Sequence, residues 1–120
     1  MTPIDEILDR FEQPARRGSL EVPPAMQASG TNPRCGDVLT MYALVQADTV
    51  AQVRFEGSGC TISQAAADVT AELAEGLPIA AALRLDLDAL LARLGHHAVQ
   101  TRLDCAALGL HTLQRALRSL

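Results

Sequence analysis

NPRCGDVLTMYALVQADTVAQVRFEGSGC, Asn32 to Cys60, is where the alternation of a β-hairpin can be read most clearly. Leu39, Met41, Ala43 and Val45 alternate along its first half, and Ala51, Val53 and Phe55 along its second. This period of two predicts strands over 37–47 and 50–56. Asp48 falls where such a hairpin turns. A cysteine stands near each end, Cys35 in an N-P-R-C-G-D turn and Cys60 at the close of G-S-G-C. A cysteine that fills a core normally sits in an apolar run, whereas Arg34, Gly36 and Asp37 around Cys35 are the punctuation of a loop. Cys35 is therefore placed to react or to ligate.

N-terminal to the hairpin, the text from Gln13 to Arg34 is irregular, with PARRG, VPP and ASGTNP, and carries too few apolar repeats for an element of its own. A loop that long in a small domain is usually functional or mobile. Before it, Thr2 caps a short helix, with Pro3 at its first position and Asp5 completing a capping box. Ile4, Ile7, Leu8 and Phe11 form its apolar face.

C-terminal to the hairpin the period changes to that of helices. A helix over 62–75 turns Ile62, Ala65, Ala66, Val69 and Leu73 inward and stops at Gly76. An Ala-rich helical turn follows Pro78. Asp86 caps a further helix with Leu87, Leu90, Leu91 and Leu94 inward and Gly95 as its stop. The last helix carries the stripe Leu103, Ala106, Leu110, Leu113, Leu117 and Leu120, with Cys105 in its first turn at the stripe's edge. The expected fold class is α+β: a small antiparallel sheet of about three strands with helices packed on one face.

The chain has 120 residues and no repeat at solenoid spacing, which predicts one domain over 1–120. Aromatic residues are almost absent, so the core is built from Leu, Ala, Val and Ile. The net charge is −4 and all ten basic residues are scattered arginines, which argues against a nucleic-acid surface. MTPIDEILDRF carries acids early and no long apolar run, so neither a signal peptide nor a membrane span is expected. The expected location is the cytoplasm.

Three distant cysteines without a secretion signal argue against a disulfide framework and toward metal or thiol chemistry. Cys60 precedes one helix and Cys105 opens another, positions whose unpaired N–H groups and dipole favour an anionic sulfur. If the segment after Cys35 is extended, Asp37 shares a face with it, since residues i and i+2 do. Three sulfurs and one oxygen make a tetrahedral set suited to zinc, copper(I) or iron-sulfur species, the carboxylate being the more easily displaced donor. No CxxC pair is present, so spacing alone leaves open the alternative of three unrelated small apolar residues. His96 and His97 fall in a solvated loop, where a ligand role is the lesser reading, and His111 on a helix surface. Arg16 and Arg17 read as solvated loop charges. Arg102, three residues before Cys105, is either a surface charge or a neutraliser of thiolates.

NPRCGD, GSGCTIS opening an Ala-rich helix, and RLDCAAL opening the last helix, in that order, resemble the U-type iron-sulfur cluster assembly proteins, the IscU, SufU and NifU N-terminal group. The likeness runs from Pro14 to the end. It implies a SufE/NifU-like fold with the three cysteines meeting at one exposed end. It also implies that Cys35, Asp37, Cys60 and Cys105 hold zinc or an assembling [2Fe-2S] cluster. Sulfur would come from a cysteine desulfurase, with Cys35 as candidate persulfide acceptor, and the cluster would pass to apo-protein acceptors. IscU proteins place a histidine before the last cysteine and an LPPVK-like chaperone stretch ahead of it; here Asp104 and GHHAVQ occupy that region. SufU proteins share the spelling NPRCGD, GCTIS and the arginine at Arg102, but carry an insertion for which Cys60 to Cys105 leaves no room. The resemblance is to a shortened SufU-like scaffold. Its alternative is a zinc-dependent sulfurtransferase accessory that activates the desulfurase without carrying a cluster.

Overall fold

The computed structural model describes residues 2–34, 36–95 and 102–119. Its elements run α1 (Pro3–Glu12), β1 (Met26–Asn32), β2 (Asp37–Gln46), β3 (Thr49–Ser58), α2 (Thr61–Ala74), α3 (Ile79–Ala82), α4 (Leu87–Leu94) and α5 (Leu103–Arg118). The strands form one antiparallel sheet in the order β1-β2-β3, so the expected α+β class holds.

The β2–β3 hairpin turns through Ala47 and Asp48, whose φ values of 51° and 61° are those of a two-residue primed turn. Val45 pairs with Val50 and Leu44 with Gln52, leaving Ala51 as an extra residue on β3. That bulge corrects the expected alternation: Val50, Val53 and Phe55 are fully buried, while Ala51 is only half-buried. On β2, Leu39, Met41 and Ala43 face the core as expected.

The reading of 13–34 as irregular was incomplete. Met26–Asn32 is a strand that pairs along its whole length with β2, Met26 opposite Ala43 through Asn32 opposite Asp37. MQASGTN lacks β-branched and aromatic bulk because it is an edge strand that needs only small inward side chains. Gly30 makes this concrete: a Cβ there would collide with Thr112 on α5. The opposite edge, β3, is covered by the Arg16–Gly18 segment, where Arg16 O accepts from Phe55 N (3.1 Å) and Gly18 N donates to Phe55 O (2.8 Å).

Arg16 is therefore half-buried, and Arg17, exposed as expected, is nonetheless tied to the fold. Arg16 Nε donates to Glu75 (2.8 Å), and Arg17 donates to Gln64 with its guanidinium 5.8 Å from the centre of the Phe55 ring.

Two apolar clusters share α2 as their common wall. Ala67, Ala71 and Ala74 meet the sheet together with Leu113 and Leu117 of α5. Ala65, Ala66 and Val69 meet Ile7 of α1 and Leu90, Leu91 and Leu94 of α4. The alanines allow this, since α2 must approach α5 closely: a Cβ on Gly109 would sit 3.2 Å from Ala67 Cα. The caps expected at Thr2 and Asp86 form, Asp5 N donating to Thr2 Oγ1 (3.2 Å) and Ala89 N to Asp86 Oδ1 (3.0 Å). On α5, Ala106, Leu110, Leu113 and Leu117 are buried and His111 is exposed, as the stripe predicts, but Leu103 is exposed and Leu120 lies outside the described residues. Among the described residues no helix is long and apolar enough to cross a membrane.

Candidate metal and sulfur site

The starts of β2, α2 and α5 converge at one end of the molecule, and each brings one donor. Asp37 is the first residue of β2 and is fully buried. Cys60 is the N-cap of α2 and half-buried; its Sγ accepts from Ser63 N at 3.4 Å. Cys105 lies in the first turn of α5 and is 1% exposed. One carboxylate oxygen of Asp37 and the two sulfurs lie within 4.8 Å of one another.

Asp37 and Cys60 hold each other. Cys60 N donates to Asp37 Oδ1 at 2.8 Å, and Cys60 Sγ lies 3.8 Å from Asp37 Oδ2. Gly59 is what lets the strand start and the helix cap come so close, since a Cβ there would stand 2.5 Å from Asp37 Oδ1. Ser63, fully buried, completes the turn by donating its hydroxyl to Cys60 O (3.0 Å).

Cys35 lies outside the described residues. Its neighbours are placed: Gly36 N donates to Asn32 O at 2.8 Å, joining the end of β1 to the start of β2. His96 and His97 also fall outside the described residues.

Arg102, exposed and at the N-cap position of α5, is a surface charge whose electrostatic neighbours are the two cysteines. The sulfurs of Cys60 and, to a lesser degree, Cys105 raise the Arg102 guanidinium above its ordinary pKa by charge and hydrogen bonding. Asp104, next to Cys105, is turned to an exposed pair with Arg34 Nη1 at 3.0 Å. Asn32 was missed. It ends β1, is 7% exposed, and its Nδ2 donates to Cys105 Sγ at 3.6 Å. Only the register of the edge strand, which the text conceals, places it there.

Two sulfurs and one carboxylate at this separation suit a thiophilic ion such as zinc or the irons of a small cluster. A fully buried carboxylate that forms no ion pair among the described residues is costly without a cation, and a bound metal supplies one. The donor set therefore fits the groups that the motifs imply.

Comparison with known proteins agrees with this chemistry. The family model for the NifU-like N-terminal domain matches residues 3–120. The chain is 31% identical over 113 residues to the iron-sulfur cluster assembly scaffold protein IscU 1 of Archaeoglobus fulgidus, covering 94% of this chain and 72% of that one. It is 32% identical over 79 residues to the zinc-dependent sulfurtransferase SufU of Bacillus subtilis, covering 66% of this chain and 52% of that one. The crystal structure of an iron-sulfur cluster assembly scaffold protein for the SUF system from Fervidobacterium islandicum superposes with a TM-score of 0.77 at 28% identity, covering 94% of each chain. Since the family model spans nearly the whole chain and the fold is shared with a solved relative, the chain belongs to the NifU-like N-terminal domain family.

Proposed function

We propose that the chain is a single iron-sulfur cluster assembly scaffold domain spanning residues 1–120. It takes sulfur from a cysteine desulfurase, assembles a [2Fe-2S] cluster on Cys35, Asp37, Cys60 and Cys105, and passes it to apo-protein acceptors. The observation that carries this reading is the meeting of Asp37, Cys60 and Cys105 donors within 4.8 Å at the starts of three separate elements. A purely structural cysteine has no need of such a partner set.

Sulfur arrives by thiol exchange. The Cys35 thiolate attacks the terminal sulfur of the desulfurase persulfide; a new S–S bond forms on Cys35, and the enzyme's cysteine leaves as thiolate. The transfer itself consumes no oxidant or reductant; turning the bound sulfur into cluster sulfide takes electrons, which ferrous iron and a thiol reductant supply. Arg102 supplies positive charge beside Cys60 and Cys105, which offsets the negative charge that gathers as sulfur and iron are loaded. Asp37, an oxygen among sulfurs, is the donor that releases when the cluster leaves. Zinc on the same residues, when bound, keeps the sulfurs deprotonated. Exposed Val38 and Leu103, one and two positions from Asp37 and Cys105, suit the docking of a partner protein beside the site. On this reading the chain is a scaffold and sulfur acceptor, with sulfurtransferase-like activity through Cys35. The reducing cytoplasm is the compartment that suits working thiolates.

The second reading is a zinc-dependent sulfurtransferase that stimulates the desulfurase and never carries a cluster. Arg102 beside the sulfurs and the likeness to the Bacillus subtilis protein favour it. Sulfur-35 labelling from a desulfurase onto wild type and Cys35→Ala tests the acceptor role common to both. Cys35→Ala that takes up label at the native rate overturns it.

A further inference from the structure

We propose that Asn32 is a positioning residue for Cys105, fixing its sulfur as a ligand by donating the side-chain amide N–H to it. The inference rests on the reading of Cys105 as a metal and cluster ligand.

Asn32 spends three polar groups at one junction. Its backbone oxygen accepts from Gly36 N (2.8 Å), its Oδ1 accepts from Arg34 N (3.2 Å), and its Nδ2 donates to Cys105 Sγ (3.6 Å). The middle bond fixes the amide's orientation. A backbone N–H requires an acceptor, so Oδ1 must face Arg34 and the NH₂ group must face the sulfur. The side chain is 7% exposed and the sulfur it meets is 1% exposed, so water competes little for this contact.

The contact joins the end of β1 to the first turn of α5, 73 residues later. Nearby donors carry the other two ligands among the described residues: Cys60 N on Asp37 and Ser63 N on Cys60. Asn32 gives Cys105 a comparable polar contact from a side chain. An N–H group on a ligating sulfur orients it and draws off part of its negative charge. Such outer partners govern metal affinity and the electronic properties of sulfur-ligated centres. Because Asn32 also closes the turn between β1 and β2, the position of that turn and the position of the Cys105 sulfur are set by one side chain.

The test compares wild type with Asn32→Asp and Asn32→Leu. Asn32→Asp keeps an acceptor for Arg34 N but has no N–H for the sulfur; Asn32→Leu removes both. Zinc affinity is measured by competition with a chromophoric chelator, and the sulfur-to-cobalt charge-transfer band is recorded on Co(II)-loaded protein. Thermal unfolding of the metal-free forms reports folding. Both variants are expected to bind zinc about 10-fold or more weakly than wild type, and the cobalt band to move to lower energy as the sulfur becomes more electron-rich. If Asn32→Leu does not fold, Asn32→Asp carries the test. Wild-type uptake with variant affinity unchanged or higher, and an unshifted band, overturns the inference alone. A wild type that takes up neither zinc nor cobalt overturns the site reading beneath it, and the inference with it.

Discussion

Gly59→Ala is the smallest change that reaches the centre of the site without touching a ligand. The added Cβ would stand 2.5 Å from Asp37 Oδ1 and 2.8 Å from Ser63 Oγ, against ordinary contacts that begin at 3.4 Å. Relief requires the carboxylate to retreat by about 0.9 Å. It has little room, since Asp37 is fully buried and its Oδ1 is held by Cys60 N at 2.8 Å. Losing a charge-assisted bond of this kind costs about 1.5–3 kcal/mol, and a metal ligand tolerates displacements of only about 0.2 Å. Zinc affinity should therefore fall about 10- to 150-fold, the same energy expressed as a binding constant. The metal-free protein should also melt several degrees lower. Competition with a chromophoric chelator and thermal unfolding read the two effects. A Gly59→Ala protein that binds zinc within twofold of wild type, with an unchanged melting temperature, refutes the close approach of Asp37 to the α2 cap.

Other outcomes follow from the same structure. Glu75 accepts from Val53 N (2.9 Å), Arg16 Nε (2.8 Å) and Arg54 Nη1 (2.9 Å), so Glu75→Ala leaves a strand N–H and two guanidinium groups short of a partner. It should destabilise the fold by about 1–3 kcal/mol; an unchanged urea midpoint contradicts this. Burial works to raise Glu72 and Glu75. Hydrogen bonding and charge from Arg93 and Arg10 on Glu72, and Val53 N, Arg16 and Arg54 on Glu75, outweigh it and hold both below their ordinary 4.5. Their contribution is complete above about pH 4.5 and is lost as the pH falls through their lower folded values. Denaturant midpoints should thus drop on acidification below that point, and less so in Glu75→Ala. Asp37→Ala removes the displaceable donor, so a loaded cluster should leave more slowly, or turnover should cease; transfer to an apo-acceptor at the native rate contradicts it.

The hairpin and the helices were legible because their signals are local: alternation in β2, the Asp48 turn, the capping residues Thr2 and Asp86, the leucine stripe of α5. The edge strand β1 was not, because MQASGTN is shaped by what lies across from it, Thr112 and Leu108 of α5, and carries little β-propensity of its own. Missing β1 hid Asn32, whose role depends on register. The Ala51 bulge was hidden for the same reason: alternation in one strand does not reveal a mismatch with its partner. The ties of Arg16 and Arg17 were hidden because the carboxylate, amide and ring they meet lie 38 or more residues further along the chain. Asp37, Cys60 and Cys105 were legible as a site only as three motifs in order, and the structure adds that Asp37 is buried and bonded to the Cys60 backbone.

The central claim is that these donors build a cluster and give it up. Anaerobic incubation of the protein with ferrous iron, cysteine and a cysteine desulfurase, followed by addition of an apo-acceptor, tests it by visible absorbance and circular dichroism. A [2Fe-2S] chromophore is expected to grow on the scaffold, to require Cys60 and Cys105, and then to move to the acceptor. A protein that stays colourless while its zinc form stimulates the desulfurase contradicts it and leaves the sulfurtransferase reading in its place.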